Sequence, residues 1–208
     1  MPTGIAIRDP RQQLFDAAER VLLGPGGPAA LTSRAVTDEA GVAKGVLHRH
    51  FADFDAFLAE YLIDRARRVA EQDARLRARA GQGDLADNLA EALTDFFGSV
   101  ARHVLALVTF RDGTRARLRA AGVPGLPVLT EGTRMVAGYL DAERVLGRLP
   151  ASLDPDLKTL MLVGSAQLVF AEREHARDGG GEGEGAGDGE PPSFGEVRRF
   201  VVDALGLG

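Results

Sequence analysis

The chain of 208 residues has no cysteine and only two lysines, at Lys44 and Lys158. The absence of cysteine excludes a disulfide framework, a zinc–thiolate site and a thiol nucleophile. No stretch approaches the roughly 20 uncharged apolar residues of a membrane span, and the N-terminal MPTGIAIRDPRQQ has no apolar segment of the signal-peptide type. We therefore expect a cytoplasmic protein without a membrane partner.

A strong charge of one sign is also missing. The 25 Lys and Arg residues are outnumbered by 30 Asp and Glu residues, which gives a formal net charge of −5. Net charge alone therefore does not indicate nucleic acid, and any surface for a polyanion has to be local. Hydrophobic residues make up 45% of the chain, which is enough for a sizeable core.

Period-two alternation is absent as well, whereas apolar residues recur at spacings of three and four along most of the chain. This pattern predicts an all-α fold without a sheet. The segment 111–127 is broken by glycine and proline, and the glycine-rich 179–192 is predicted to be a flexible loop. The predicted helices cover 11–23, 31–40, 43–50, 54–80, 84–112 (as one helix or two), 128–147, 152–178 and 193–206.

The stretch GVAKGVLHRHF at 41–51 mixes basic and apolar residues within one short helix and the turn before it. Together with the helix 31–40, it predicts a helix-turn-helix, in which the first helix braces a second that lies in a DNA major groove. Val42 and Leu47 are expected to face a small core. The residues expected to project outward are Lys44, Val46, His48 and Arg49.

This stretch resembles the N-terminal DNA-binding domain of the TetR family of transcriptional regulators, over about residues 8–65. The family signature Gly-Val-x-x-Gly-x-Leu-Tyr-x-His-Phe is matched in order and spacing by Gly41, Val42, Gly45, Leu47, His50 and Phe51. The chain departs from it twice: His48 replaces the usual Tyr, and Phe54 replaces a usual Lys, which removes a phosphate contact.

The resemblance implies a role for each residue of this unit. Arg34 is expected to reach a guanine or a phosphate, because an arginine fork fits both. Residues expected to contact base edges are Lys44, Gly45, Val46 and His48. Residues expected to hold phosphates are Thr32, Ser33, Arg49 and His50.

The resemblance also implies two domains, a three-helix helix-turn-helix domain at 8–53 and a helical ligand-binding and dimerisation domain at 54–208. The helices at 155–177 and 193–206 are each apolar on one side, which independently favours an interface between two copies of the chain. The residues predicted to form it are Leu157, Leu160, Met161, Gly164, Leu168, Val197, Phe200, Val201 and Leu205.

A ligand pocket is expected among the helices of the second domain. Large apolar groups with a few polar ones are typical of small-molecule sites, so the pattern favours an apolar or aromatic ligand. Arg111 or His103 is the expected partner of a ligand carboxylate. The candidate lining residues are Phe96, Phe97, His103, Phe110, Arg111, Met135, Tyr139 and Phe170.

These features predict a ligand-responsive repressor that binds a palindromic operator in double-stranded DNA as a homodimer and is released by a small-molecule effector. The alternative is a helical adaptor that binds only protein. We predict no enzyme, because the chain lacks a Gly-x-Ser-x-Gly elbow, a phosphate loop and a His-Glu-x-x-His pair. We predict no metal and no cofactor, since His48 and His50 point to different sides of a helix.

Overall fold

In the computed structural model, residues 9–98, 100–109, 111–123, 125–178 and 191–207 are described, without the side chains of 100, 102, 105, 172 and 174–178. These ranges contain helices and no strand, which confirms the all-α prediction. The predicted loop 179–192 lies outside them except for its last two residues. The helices are α1 (Pro10–Leu23), α2 (Gly27–Ala30), α3 (Ser33–Glu39), α4 (Gly45–His50), α5 (Phe54–Ala78), α6 (Leu85–Phe97), α7 (Val104–Thr109, after a 3-10 turn at Val100–His103), α8 (Asp112–Ala120), α9 (Pro127–Val145), α10 (Pro155–Asp178) and α11 (Phe194–Leu205).

The chain forms two compact units, and neither is continuous in sequence. Unit 1 comprises Met1–Leu62 and Leu105–Gly125, and unit 2 comprises Ile63–Val104 and Leu126–Gly208. This division differs from the expected one at residue 53. The first turns of α5 belong to unit 1, and so does the segment around α8.

Helix α1 begins where its sequence predicts. The carboxylate of Asp9 accepts a hydrogen bond of 2.9 Å from the backbone N–H of Arg11, and Pro10 occupies the first helical position. Helix α1 ends before Gly24, as GPGGP predicts. The same stretch then starts the short helix α2, since Gly26 adopts a left-handed φ of 96° before it.

An aromatic cluster joins the helices of unit 1. The Phe15 ring of α1 lies 5.8 Å from the Phe51 ring and 5.6 Å from the Phe57 ring, measured between centroids. Phe51 and Phe57 meet edge to face at 5.1 Å, a favoured geometry for aromatic pairs. All three side chains are buried, so the cluster fixes α1 against the end of α4 and the start of α5.

Helix α8 occupies a segment where the sequence predicted only a break. Its inner face buries Thr114 and Leu118, which are one turn apart. Glycine breaks this segment only after α8 ends at Ala120, where Gly122 takes a φ of 74°.

Unit 2 has its own core, in which α6 is central. Its residue Phe96 packs closely on Gly132 of α9, and Phe97 stacks on Phe170 of α10 with 5.3 Å between ring centroids. Helix α11 covers another side of α6, and a capping box of Ser193 and Glu196 starts it as predicted.

Candidate DNA-binding surface

Three features hold helix α3 and the turn after it: a helix cap, a glycine and a hydrogen bond from α1. Thr32 caps α3, because its hydroxyl accepts a hydrogen bond of 3.1 Å from the N–H of Ala35. Gly41 takes a φ of 66° directly after the helix, a conformation that favours glycine. The side-chain amide of Gln13 on α1 donates to the carbonyl of Ala40 at 2.8 Å. Helix α3 is thus held at both ends.

Helix α4 presents a basic outer face over an apolar inner one. Lys44, which precedes it, and His48 and Arg49 within it are exposed, as predicted, whereas Leu47 is fully buried. Val46 is a correction to the expected outward set, because only 9% of it is exposed. The helix starts at Gly45 instead of 43, and on so short a helix Val46 and Leu47 together form the buried edge.

The other predicted contacts lie around the same helix. Gly45 is exposed, and a Cβ built there would meet open space. Arg34 is 81% exposed, with its Nε 3.4 Å from the carboxylate of Asp38 one turn along α3. Thr32 is exposed, and Ser33 and His50 are half-buried. The structure therefore leaves these positions of unit 1 accessible apart from Val46 and the hydroxyl of Ser33, which is buried.

Arg11 of α1 holds the carboxyl end of α4, a role that the sequence did not suggest. Its guanidinium donates a hydrogen bond of 3.2 Å to the carbonyl of His50 and lies 4.5 Å from the centre of the Phe51 ring. It also forms an ion pair with Glu60 of α5. A basic residue at a helix carboxyl end satisfies an orphan carbonyl and complements the helix dipole.

Arg111 belongs to unit 1, which corrects its assignment to the ligand pocket. Its guanidinium donates a hydrogen bond of 3.2 Å to the carbonyl of Leu31 and lies 5.4 Å from the centre of the Phe54 ring. Phe54 in turn stacks on Phe57 at 5.5 Å. Phe54, at the position where the family usually has a lysine, therefore packs its ring against the guanidinium of Arg111.

The other predicted ligand residues form a packed core in unit 2. Phe96 and Phe97 meet edge to face at 4.9 Å, and His103 is 2% exposed. Phe170 and Met135 are also buried. Phe110 lies outside the described residues. The structure thus gathers most of the set in one unit, as buried and closely packed side chains.

Two members of this set also line open clefts: Phe170 lines a groove between α10 and α11, and Met135 lines a cleft in unit 2. This cleft of about 210 Å³ lies between α5, α6 and α9 and has a charged rim, in which Arg79 and Glu91 form an ion pair of 2.6 Å. Its other lining residues are Gln72, Arg75, Leu76, Ala92 and Asp95.

Tyr139 belongs to a buried polar network. Its hydroxyl accepts a hydrogen bond of 3.0 Å from Asn88. Burial raises the pKa of the Tyr139 hydroxyl well above its ordinary value, and a hydrogen bond to Glu143 adds to the rise. Glu143 accepts a hydrogen bond of 3.3 Å from the N–H of Gly81. This network fixes the turn between α5 and α6.

The predicted dimer residues divide into two groups. On α10, Leu157, Leu160, Met161 and Leu168 are exposed large apolar residues, and Gly164 lies among them facing open space. On α11, Val197, Val201 and Leu205 are buried in the core of the protomer, and Phe200 is half-buried. The apolar face of α11 is therefore covered within the protomer, where α11 packs on α6.

No helix in the described ranges combines the length and apolarity that crossing a bilayer requires. Nor do three His, Asp or Glu side chains of these ranges come together where they could hold a metal ion.

Comparison with known proteins gives a family match for the N-terminal segment. Residues 14–61 match the model of the bacterial regulatory proteins of the tetR family. No curated protein gives a significant match. Among solved structures, a TetR transcription regulator from Haloarcula marismortui shares 15% identity and a TM-score of 0.62, over 96% of this chain and 97% of that one.

Two further solved structures are complexes with small molecules. The transcriptional regulator FadR from Bacillus subtilis, in complex with stearoyl-CoA, shares 18% identity and a TM-score of 0.57, over 94% of this chain and 96% of that one. The multidrug binding protein EbrR, complexed with malachite green, shares 22% identity and a TM-score of 0.53, over 95% and 99%. These likenesses establish the fold.

The family match covers the helix-turn-helix, and the fold is shared with TetR regulators over nearly the whole chain. The exposed basic face of α4 lies inside the matched segment. Residues 14–61 therefore belong to the DNA-binding segment of the tetR family of bacterial regulatory proteins, and the chain shares the fold of TetR regulators over nearly its whole length.

Proposed function

We propose that the protein is a repressor that binds a palindromic operator as a homodimer and leaves it when a small apolar or aromatic effector binds. The observation that carries this proposal is the exposed basic set of Lys44, His48 and Arg49 on a helix whose inner edge is locked into an aromatic core. A rigid helix with an exposed basic face suits insertion into the major groove.

Contacts to the DNA divide by geometry. Lys44 and the exposed Gly45 lie at the start of α4, the part of a recognition helix that reaches base edges, and His48 follows one turn later. Arg34 extends from α3 with most of its side chain in solvent, so its fork is available to a guanine or a phosphate. Thr32, Ser33, Arg49 and His50 hold the backbone and set the register.

The exposed stripe of α10 supports the homodimer. Leu160 and Leu168 are each 65% exposed, which is unusual for large apolar side chains on one face of a helix. The stripe borders an apolar groove of about 220 Å³ between α10 and α11, lined in part by Val169 and Phe200. A second copy that covers this stripe gives the dimer a two-fold axis, the symmetry that a palindromic site requires.

The effector is proposed to bind in unit 2, among the aromatic residues of α6, α9 and α10. Relatives of the same fold were solved with stearoyl-CoA and with malachite green, one largely aliphatic and one aromatic. Because the Phe96, Phe97 and Phe170 rings are packed against one another, an effector has to part them. His103 is the remaining candidate partner for a carboxylate. Helix α5, which carries residues of both units, is proposed to transmit the change.

The decisive experiment is a gel-shift titration on duplexes selected by the protein from genomic fragments. Lys44→Ala/Arg49→Ala is expected to weaken binding at least ~100-fold, because two contacts of ~1–3 kcal/mol each are lost per protomer. The control Arg67→Ala/Arg199→Ala removes the same charge from exposed positions of unit 2. Equal binding by both double variants, or no selected duplex at all, would contradict the proposal and favour the protein-binding adaptor.

A further inference from the structure

Helix α8 concentrates positive charge in the unit that carries the helix-turn-helix. Residues 111–119 contain four arginines and one aspartate. By position they belong to unit 1, although nearly fifty residues separate them in sequence from the end of its first segment. None of these arginines lies in the segment that matches the family model, which ends at residue 61.

The arginines of this segment reverse the sign of the charge of unit 1. Residues 1–62 carry six Lys and Arg against eight Asp and Glu, a formal charge of −2. Residues 105–125 carry four Arg and one Asp, a charge of +3, so the whole unit reaches +1. A DNA-reading unit that is negative without α8 depends on α8 for a favourable long-range attraction to phosphates.

Specific contacts hold α8 on the start of α5. The hydroxyl of Thr114 donates a hydrogen bond of 2.7 Å to the carboxylate of Asp55, and Gly113 leaves no room for a Cβ beside the same carboxylate. Arg117 forms an ion pair with Asp53. Asp53, which directly precedes α5, and Asp55 in its first turn are therefore both paired with α8, which offsets their repulsion of an approaching polyanion.

The direction of α8 follows from these contacts. Thr114 lies at Asp55 and Arg117 at Asp53, so α8 runs toward the N-terminal end of α5, which follows α4 by three residues. Arg119 lies further along in the same direction and is exposed. At the other end, Arg111 donates to the carbonyl of Leu31, next to the predicted phosphate contact Thr32.

The arginines of α8 occupy two sides of the helix. Arg115 and Arg119 are four residues apart and share one stripe, beside the buried stripe of Thr114 and Leu118. Arg117 lies on the opposite side, where Asp53 engages it. The Arg115 side chain is 40% exposed, forms an ion pair with Asp112 and donates a hydrogen bond of 3.2 Å to the carbonyl of Thr109. Arg111 and Arg117 thus dock the helix, and the exposed parts of Arg115 and Arg119 can meet a partner, whose phosphate at Arg115 has to share or replace the bond with Asp112.

We propose that α8 is a second DNA-contacting element, in which Arg115 and Arg119 bind backbone phosphates that flank those held by α3 and α4. This inference rests on the proposed function and extends it, since it assigns the contacts to a segment outside the helix-turn-helix. The partner is the duplex backbone, because a pair of arginines one turn apart recognises phosphate charge and carries no base code.

The charge near the end of α8 also has a purely local explanation. Arginines in the last turn of a helix complement its dipole, which stabilises α8 without any partner. The two explanations differ in a measurable quantity: phosphate contacts make the affinity for DNA steeper in salt, whereas helix stabilisation leaves that slope unchanged.

The test is the salt dependence of binding to the selected operator duplex, with Arg115→Gln/Arg119→Gln compared with wild type. Each lost phosphate contact is expected to make the slope of log K against log salt shallower by about 0.9. Two contacts in each of two protomers predict a total change of about 3 to 4. The control Arg67→Gln/Arg199→Gln removes the same charge from unit 2 and is expected to leave the slope nearly unchanged.

Two further arms keep folding and function apart. Arg115→Lys/Arg119→Lys retains the charge and is expected to restore most of the slope, while a thermal melt shows whether either variant unfolds. Ethylation interference on wild type and the glutamine variant is expected to differ at phosphates outside those affected by Lys44→Ala. An unchanged slope and an unchanged interference pattern in a folded glutamine variant overturn the inference and leave the repressor proposal standing. Failure of wild type to bind any duplex overturns both.

Discussion

The side-chain amide of Gln13 donates a hydrogen bond of 2.8 Å to the carbonyl of Ala40, at the end of α3. Two residues earlier, Arg11 makes the equivalent contact to the carbonyl of His50, at the end of α4. One helix therefore closes the carboxyl ends of both helices of the DNA-reading motif, and the angle between these two helices depends on α1.

Replacement of Gln13 by leucine tests this brace. Gln13→Leu leaves the part-buried carbonyl of Ala40 without its donor, which is expected to cost about 1–2 kcal/mol in the free energy of unfolding. The matched control is Gln12→Leu, because the side chain of Gln12 bonds Asp16 on its own helix. Urea denaturation followed by circular dichroism gives the difference. Equal losses in the two variants would show that the brace contributes nothing of its own.

The aromatic ring of Phe54 is expected to stabilise the fold and to lower the affinity for operator DNA. Phe54→Lys restores the basic residue that the family usually carries, so the salt slope of operator binding is expected to steepen by about 0.9 per protomer. The same change removes the stack on Phe57 and places a cation next to Arg111. We expect a loss of about 1–2 kcal/mol in unfolding free energy.

Phe54→Leu separates these two effects. It removes the ring without adding charge, so the stability is expected to fall while the salt slope stays that of wild type. A lysine variant that binds DNA with the wild-type slope would show that this position does not face the backbone.

A charge in the exposed stripe of α10 is expected to separate the protomers. Leu160→Asp removes one buried leucine per protomer from the proposed interface, worth about 1.5–3 kcal/mol each. The dimer dissociation constant is therefore expected to rise by roughly 100-fold or more. Analytical ultracentrifugation at micromolar concentration measures it.

The control for that variant is Val145→Asp. Val145 is 74% exposed at the end of α9, outside the stripe, and its replacement is expected to leave the dimer intact. A wild-type chain that sediments as a monomer would remove the proposed interface altogether.

Glycine at position 132 is required by the ring that packs on it. A Cβ built at Gly132 overlaps the fully buried ring of Phe96, so Gly132→Ala is expected to cost about 1–3 kcal/mol through overpacking. Gly195→Ala on α11 is the control, because its Cβ would meet open space. Thermal melts of the two variants are expected to shift only for position 132; a melt of Gly132→Ala at the wild-type temperature would contradict this packing.

The start of α11 is expected to weaken in acid. Hydrogen bonds from the backbone and side chain of Ser193, with the charge of Arg173, lower the pKa of Glu196 from 4.5 to about 2. A carboxyl whose pKa is lower in the folded state stabilises the fold above its unfolded pKa and loses that contribution as the pH falls. The stability difference between wild type and Glu196→Gln is therefore expected to be constant above pH 4.5 and to shrink toward pH 2.

A titration of the Glu196 carboxyl by NMR measures the same property directly. A midpoint near 2 is expected in wild type, and a midpoint near 4 would show that the capping box does not persist in solution.

Local signals predicted the ends of helices but not what covers their faces. Ser193 with Glu196 marks the start of α11 because both residues of the capping box lie within four residues of the helix start. Helix α8 escaped prediction for the opposite reason. The glycines within and after this segment argue against a helix. Asp55, whose carboxylate accepts a hydrogen bond from Thr114 of α8, lies 59 residues away in sequence.

The candidate sites show the same limit. Periodicity correctly predicted that α11 is apolar on one side. Its valines Val197 and Val201 are nevertheless buried in the protomer core, because periodicity does not indicate whether an apolar face packs within the protomer or against a second copy. Arg111 was grouped with the ligand pocket as a candidate partner of a ligand carboxylate, although its contacts are with Leu31 and Phe54. The basic face of α4 was predictable, since its spacing and its family signature coincide.

The discontinuity of unit 1 has a consequence for protein engineering. A chimera that transplants only the first sixty residues onto a different regulator body leaves behind Thr114 and Arg117, and with them the partners of Asp55 and Asp53. The graft then carries two uncovered carboxylates and a net negative charge to its new host. A functional exchange of DNA specificity has to move residues 105–125 as part of the same cassette.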